Sequence, residues 1–293
     1  MWTSAGGPPV PISVPLVAEV LSRLIDDSIR NQEISRLLMK TTCPILSHLF
    51  FADDALLFLK ASRLECLKMM QLLQVYSHAS GQLINLEKSE VFFSANASIE
   101  LKGLICGVLG ISSARPHVKY LGIPSSWGRS KSEAYGFLVD KMVAKMQGWK
   151  NKLLSHARRE VLIKAVVQTV PSYAMACFFF PKSFCNKLNM AIRNFWWKGD
   201  PTNKGIPWTK WKTMCSSKLH EGMGFRDFSA FNQAMLGKPG WRCITNPHSF
   251  WARLLKGLYF PHSSFMNASQ RARGSWAWHS LIHGRELLKK GTQ

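Results

Sequence analysis

Apolar and polar positions change period several times along the chain, and each change marks an element. Residues 1–15 are rich in Pro and Gly and read as irregular. From Pro15 to about Leu38, Val17, Val20, Leu21, Leu24 and Ile25 follow helical spacing. Ile45–Phe51 and Ala55–Leu59 are short aromatic and aliphatic runs, the pattern of buried strands, and the Ala-Asp-Asp corner between them predicts a β-hairpin. Ser62 and Glu65 form an S-x-x-E capping box that opens a helix through Leu64, Leu67, Met70, Leu72, Leu73 and Tyr76, and Gly81 stops it. VFFS at 91–94 and KYLGI at 119–123 read as two further strands. After about residue 130 the period becomes helical. One stretch carries Phe137, Leu138, Lys141, Met142 and Met146, and a second carries Val161, Leu162, Ala165, Val166 and Thr169 before Pro171. A third runs from Phe184 to Trp197. The order predicts an α+β fold, with an antiparallel sheet and helices followed by a mainly α-helical region.

Charge divides the chain differently from hydropathy. The 293 residues carry 38 Lys and Arg against 17 Asp and Glu, a net charge of +21. Residues 1–100 hold 8 Lys and Arg against 10 Asp and Glu, whereas residues 101–293 hold 30 against 7. A near-neutral part joined to a strongly basic part points to a polyanionic partner for the latter, because concentrated positive charge repels itself in a compact state. Apolar residues make up 46%, enough for a packed core. The seven cysteines are odd in number, widely spaced and never in a CxxC, which supports neither a disulfide framework nor a zinc knuckle, so no zinc site is expected and a reducing compartment fits. His279 and His283 stand four apart without a further ligand nearby in sequence. No Lys or Arg precedes Arg23, so no secretory signal is expected. The apolar stretch AVVQTVPSYAMACFFFP is broken by Gln168, Thr169, Pro171 and Ser172, so no membrane partner is expected.

The chemistry centres on HLFFADDALLFLK, residues 48–60. Two adjacent carboxylates between apolar runs cost several kcal/mol to desolvate without a compensating cation. Divalent metal ions supply that compensation in nucleotidyl transfer, where two ions about 4 Å apart clamp the attacking and leaving oxygens. A turn of the Asx type at a hairpin corner uses the same residue, and the dipeptide alone fits both.

The surrounding boxes narrow the choice. HLFFADDALLF resembles the F/Y-A-D-D box of reverse transcriptases, in particular those of LINE-type (non-LTR) retrotransposons of plants. SGQLINLEKSEVFFS (80–94) is similar to the palm segment that follows, and KYLGIPSSWGRSKSEAYGFLVDKM (119–142) to the primer-grip strand and start of the thumb. The stretches 148–181, 195–211 and 222–242 resemble the helical region behind the polymerase core. The resemblance implies a partial right-hand palm and an RNA-directed DNA polymerase by descent. Its domains would be a degraded palm/fingers boundary at 1–40, palm at 41–128, thumb-like helices at 129–190 and a Trp-rich basic region at 191–293. It implies that Asp53 and Asp54 hold Mg²⁺ or Mn²⁺ and that Phe51 and Ala52 pack beneath the primer end. Lys88 would approach the phosphates of a dNTP, though an ordinary surface lysine fits the same position. Lys119, Tyr120, Leu121 and Gly122 would form the primer grip. Lys141, Lys145, Lys150, Lys152, Arg158, Arg159 and Lys164 would line a basic thumb against an RNA template and DNA primer, through phosphates and not sequence. The setting implied is intracellular and nuclear. Phe195, Trp196, Trp197, Trp208 and Trp211 could stack bases or form the core of a helical subdomain.

The sequence also departs from that pattern. About fifty residues precede Asp53, and Asp26 and Asp27 lie in a helical pattern instead of on the strand that would carry a third carboxylate. Arg158 stands where a glycine is usual, His220 precedes EGMGF where a glycine-rich turn is usual, and Pro239 falls inside a predicted helix. These departures predict a chain inactive alone as a polymerase; the alternative function is a non-catalytic nucleic-acid-binding remnant that uses the basic thumb.

Overall fold

The computed structural model describes residues 2–4, 13–111, 119–120, 123–124, 135–150, 154–270 and 274–291. It is α+β with a mainly helical C-terminal region. Two compact units divide it, Met1–Ser126 and Trp127–Gln293.

In the first unit, strand β1 (Trp2–Ser4) pairs antiparallel with β4 (Gln82–Ile84), so the stretch read as irregular contains a strand. Helix α1 (Ser13–Arg30) ends eight residues before the predicted Leu38. Gln32 adopts a left-handed conformation (φ 60°) just beyond it, which a continuing helix excludes. Strands β2 (His48–Phe51) and β3 (Asp54–Leu57) form the expected hairpin, with Phe51 opposite Asp54. Helix α2 (Arg63–Ser80) begins at Ser62, whose hydroxyl accepts from the Glu65 amide, and ends on left-handed Gly81. The Glu65 carboxylate accepts from the Lys60 amide at 3.1 Å, two residues further back than a reciprocal box would place it. The inward stripe is Cys66, Met69, Leu72, Leu73 and Tyr76, while Leu64 and Leu67 face water. These residues pack with Leu21, Ile25, Ile29 and Ile34, and Phe50, Leu57 and Ile84 cover the cluster.

Two expectations fail here. Residues 91–94 are irregular, with Phe92 exposed; the strand of that region is β4 instead. KYLGI does not give one strand: β5 (Lys119–Tyr120) pairs antiparallel with β6 (Ile123–Pro124). Between β4 and β5, α3 (Ile99–Leu109), capped by Ser98 and left-handed Gly110, was not signalled, because Gly103 and Gly107 dilute its helical pattern. Among the described residues the strands form three separate two-stranded ribbons and not one continuous sheet.

In the second unit, α4 (Gly136–Lys150) buries Leu138, Met142 and Met146. Helix α5 (His156–Ala165) is followed by a 3₁₀ turn at Val167–Thr169 and by α6 (Ser172–Cys177). The inward residues are Ile163 and Val167; Val161, read as apolar-face, is exposed. Helix α7 (Lys182–Lys198) buries Phe184, Leu188, Ile192, Phe195 and Trp196, and α8 (Trp211–Cys215) follows. Helix α9 (Phe228–Thr245) passes unbroken through Pro239 and packs on α11 (Trp276–Gly291), beside α10 (Phe250–Tyr259). Asn232 on α9 ties the segment after α6 in place. It donates to the carbonyls of Met175 and Phe178 at 2.8 and 2.9 Å and accepts from the Phe180 amide at 2.7 Å. Tyr259, Phe260 and Phe265 gather around fully buried Trp278.

Candidate nucleic-acid interface

The carboxylate pair sits at the tip of a docked hairpin. Alternation along β2 turns His48 and Phe50 inward and Leu49 and Phe51 outward. The His48 ring stacks on Phe50 at 4.8 Å and is held by Ser22 Oγ at Nε2 (2.7 Å) and by Ser47 Oγ at Nδ1 (2.9 Å). Burial lowers the pKa of His48, opposed by the negative charges of Asp26 and Glu19. The base of the hairpin is thereby fixed on α1 while its tip projects.

At that tip Ala52 takes φ 50°, the positive value that tight mirror-image hairpin turns demand and that alanine adopts at a cost. Asp53 is exposed in the turn, and Asp54 is half-buried as the first residue of β3. Among the described residues neither carboxylate makes a hydrogen bond or an ion pair, so both lone-pair sets are available to water or a cation. Phe51 is 59% exposed beside them. Among the described residues no group of three or more His, Cys, Asp or Glu is placed to hold a metal ion, so any ion at Asp53 and Asp54 would draw its remaining ligands from water or a bound nucleic acid. Lys88 ends a 3₁₀ turn (Leu86–Lys88) capped by Asn85 and is exposed. Lys119 and Tyr120 pair in the β5–β6 ribbon, while Leu121 and Gly122 lie outside the described residues.

The second unit sorts the basic residues into two kinds. Lys141 and Lys145 share the exposed face of α4, one turn apart and opposite its buried methionines. Arg158 is exposed in the first turn of α5. It borders a groove of about 490 Å³ lined otherwise by Trp149, Leu154, Ala157, Val161 and Leu162. Among the described residues none of these three cations has an ion-pair partner. Arg159 and Lys164 are engaged inward. Arg159 Nη1 donates to the Trp196 carbonyl at 3.0 Å, and Lys164 meets Glu160 at 2.7 Å and lies 5.7 Å from the Phe225 ring centre. Lys218 closes on the same carboxylate at 2.8 Å, and hydrogen bonds from both lysines lower the pKa of Glu160. The side chain of Lys150 and all of Lys152 lie outside the described residues.

The aromatic group is likewise divided. Phe195 and Trp196 are buried, Trp196 meets Phe225 edge-on, and Trp211 stacks on Phe225 at 5.4 Å, whereas Trp208 faces water. His279 and His283 are held by separate contacts, with Gln270 and with the Phe179 ring. Among the described residues no helix is long and apolar enough to cross a membrane.

No family model matches the chain. It is 48% identical over 123 residues to the Arabidopsis thaliana "Uncharacterized mitochondrial protein AtMg00310", a match covering 42% of this chain and 80% of that protein. It is 30% identical over 166 residues to the Arabidopsis thaliana "Putative ribonuclease H protein At1g65750", covering 56% of this chain but only 27% of that protein.

Proposed function

We infer that this chain, which belongs to the same family as the Arabidopsis mitochondrial protein, derives from a retrotransposon and serves as a nucleic-acid-binding piece of a LINE-type reverse transcriptase. The charge distribution carries the reading: 30 of the 38 Lys and Arg lie in residues 101–293, and Lys141, Lys145 and Arg158 stand exposed without ion pairs among the described residues. Similarity to a protein named for ribonuclease H supports a nucleic-acid setting for the same residues. Contacts of this kind would engage phosphates of RNA or DNA with little sequence preference, weakening as salt rises.

The hairpin supports polymerase ancestry, with Asp53 and Asp54 in the place where Mg²⁺ or Mn²⁺ would bind. Turnover by this chain alone is not proposed. Two-metal transfer of a nucleotide needs both ions and the primer hydroxyl held in line. A lost effective molarity of about 7 kcal/mol is about five decades in rate. Primer extension on an RNA template, comparing the chain with Asp53→Ala, tests this. No templated product from either is expected; robust extension abolished by Asp53→Ala would show a working active site.

A further inference from the structure

The connection from α7 to α8 is pinned at its stem and open at its crown. Gly199 closes α7 at φ 73°. Asp200, only 4% exposed, accepts from the Thr202 amide and hydroxyl at 3.0 and 2.7 Å and from the Asn203 amide group at 2.7 Å. Buried Asn194 donates to the Pro201 carbonyl at 3.3 Å. Gly205 passes so close to α7 that a Cβ there would lie 3.2 Å from Cβ of Trp197. Beyond this stem Ile206 is 82% exposed and Trp208 is 84% exposed, while Trp197 and Trp211 on either side are at least half-buried. A large ring left in water forgoes its burial energy, and a stem this firmly held keeps it there. Lys198, Lys204, Lys210 and Lys212 flank it in sequence, all exposed and, among the described residues, all without ion pairs. The sole acidic residue from 198 to 212 is Asp200, turned into its own hydrogen bonds.

We propose that Trp208 is a base-stacking contact for single-stranded nucleic acid, flanked by Lys204, Lys210 and Lys212 as phosphate contacts. The proposal rests on the nucleic-acid reading above and deepens it by naming the strand state and the residue that selects it. An exposed indole offers a flat face to any base, and cations on both sides in sequence match a ligand whose charge repeats while its rings project. In a duplex the base faces are already stacked, so only the lysines would engage.

The test uses the full chain with fluorescein-labelled oligo(U), oligo(dT) and a duplex of the same length, read by anisotropy across a salt series. Trp208→Ala should weaken single-strand binding about ten-fold or more while leaving duplex binding and the salt slope unchanged. Trp208→Phe should recover most of the loss. The double variant Lys210→Gln/Lys212→Gln should instead reduce the single-strand slope by about 1.4. An unchanged melting curve for Trp208→Ala verifies the fold. Single-strand affinity within two-fold of the original chain would overturn the inference and leave the nucleic-acid reading standing; failure of the original chain to bind at low salt would remove both. If sedimentation shows a dimer that Trp208→Ala dissociates, the ring is a contact between copies and the inference also falls.

Discussion

The contact between α9 and α11 is close enough to rank two glycines on opposite helices against each other. A Cβ added at Gly284 would sit 2.4 Å from the Leu236 carbonyl carbon, 2.6 Å from its oxygen and 2.7 Å from the Gly237 nitrogen. All three are backbone atoms, so no rotamer change relieves the overlap. Ordinary contact begins near 3.4 Å, so the helices must part by roughly 1 Å at this crossing. Forced expansion of a packed core costs about 1–3 kcal/mol, and this site lies at the upper end because whole helices must move. The better helix propensity of alanine returns about 1 kcal/mol, leaving a net loss of about 2 kcal/mol for Gly284→Ala. At Gly237 the nearest atoms would be the Gly284 carbonyl oxygen at 3.6 Å and Leu288 Cδ2 at 3.7 Å. Nothing there must move, so Gly237→Ala should gain up to about 1 kcal/mol from propensity alone. Thermal unfolding read by tryptophan fluorescence is suited to this unit, since every Trp but Trp2 lies in residues 127–293. At about 2–4 °C per kcal/mol, Gly284→Ala should lower the midpoint by roughly 4–8 °C, and Gly237→Ala should hold or raise it. A Gly284→Ala chain as stable as Gly237→Ala would refute the reasoning.

Three further outcomes are expected. Pro239→Gln restores an amide donor to the Met235 carbonyl inside α9 and removes the ring's clash with it, so the urea midpoint should rise by the equivalent of about 1–3 kcal/mol; an unchanged midpoint would mean the helix has relaxed around the ring. Glu221→Gly relieves a left-handed residue at φ 58°, and should stabilise by about 0.5–1 kcal/mol, net of the added freedom of the unfolded chain; destabilisation in the same melt would contradict this. His48 has a folded pKa below its ordinary 6.5, so the unfolded chain takes up the proton first. The stability its neutral form supports is complete above pH 6.5 and is lost as pH falls through the folded value, and His48→Gln should flatten that part of a stability–pH profile.

Elements with local punctuation were legible in the sequence. Ser62, Glu65 and Gly81 gave both ends of α2, and apolar runs around Ala-Asp-Asp gave the hairpin. The strand read at 91–94 failed because VFFS matches strand composition yet finds no pairing partner among the described residues, while QLI at 82–84 pairs with residues 2–4, eighty positions away. Of the apolar residues that marked α2, Leu72, Leu73 and Tyr76 are buried while Leu64 and Leu67 are exposed; composition alone cannot rank two overlapping apolar faces. Within the basic run 141–164, sequence gave charge but not direction: Arg158 and Arg159 are adjacent, and helix geometry exposes the first while the second reaches the Trp196 carbonyl. The separation of Trp208 from its neighbours likewise depends on a stem fixed by Asp200 and Asn194, contacts that periodicity does not encode.

Salt-dependent binding of the full chain to RNA and DNA tests the central claim most directly. Lys141, Lys145 and Arg158 alone provide three exposed cations for phosphates. Each single-strand phosphate neutralised contributes about −0.7 to the slope of log K against log salt. A slope of about −2 or steeper, similar for unrelated sequences of equal length, is the predicted result. No binding at 50 mM salt, or a slope indistinguishable from zero, would contradict the account.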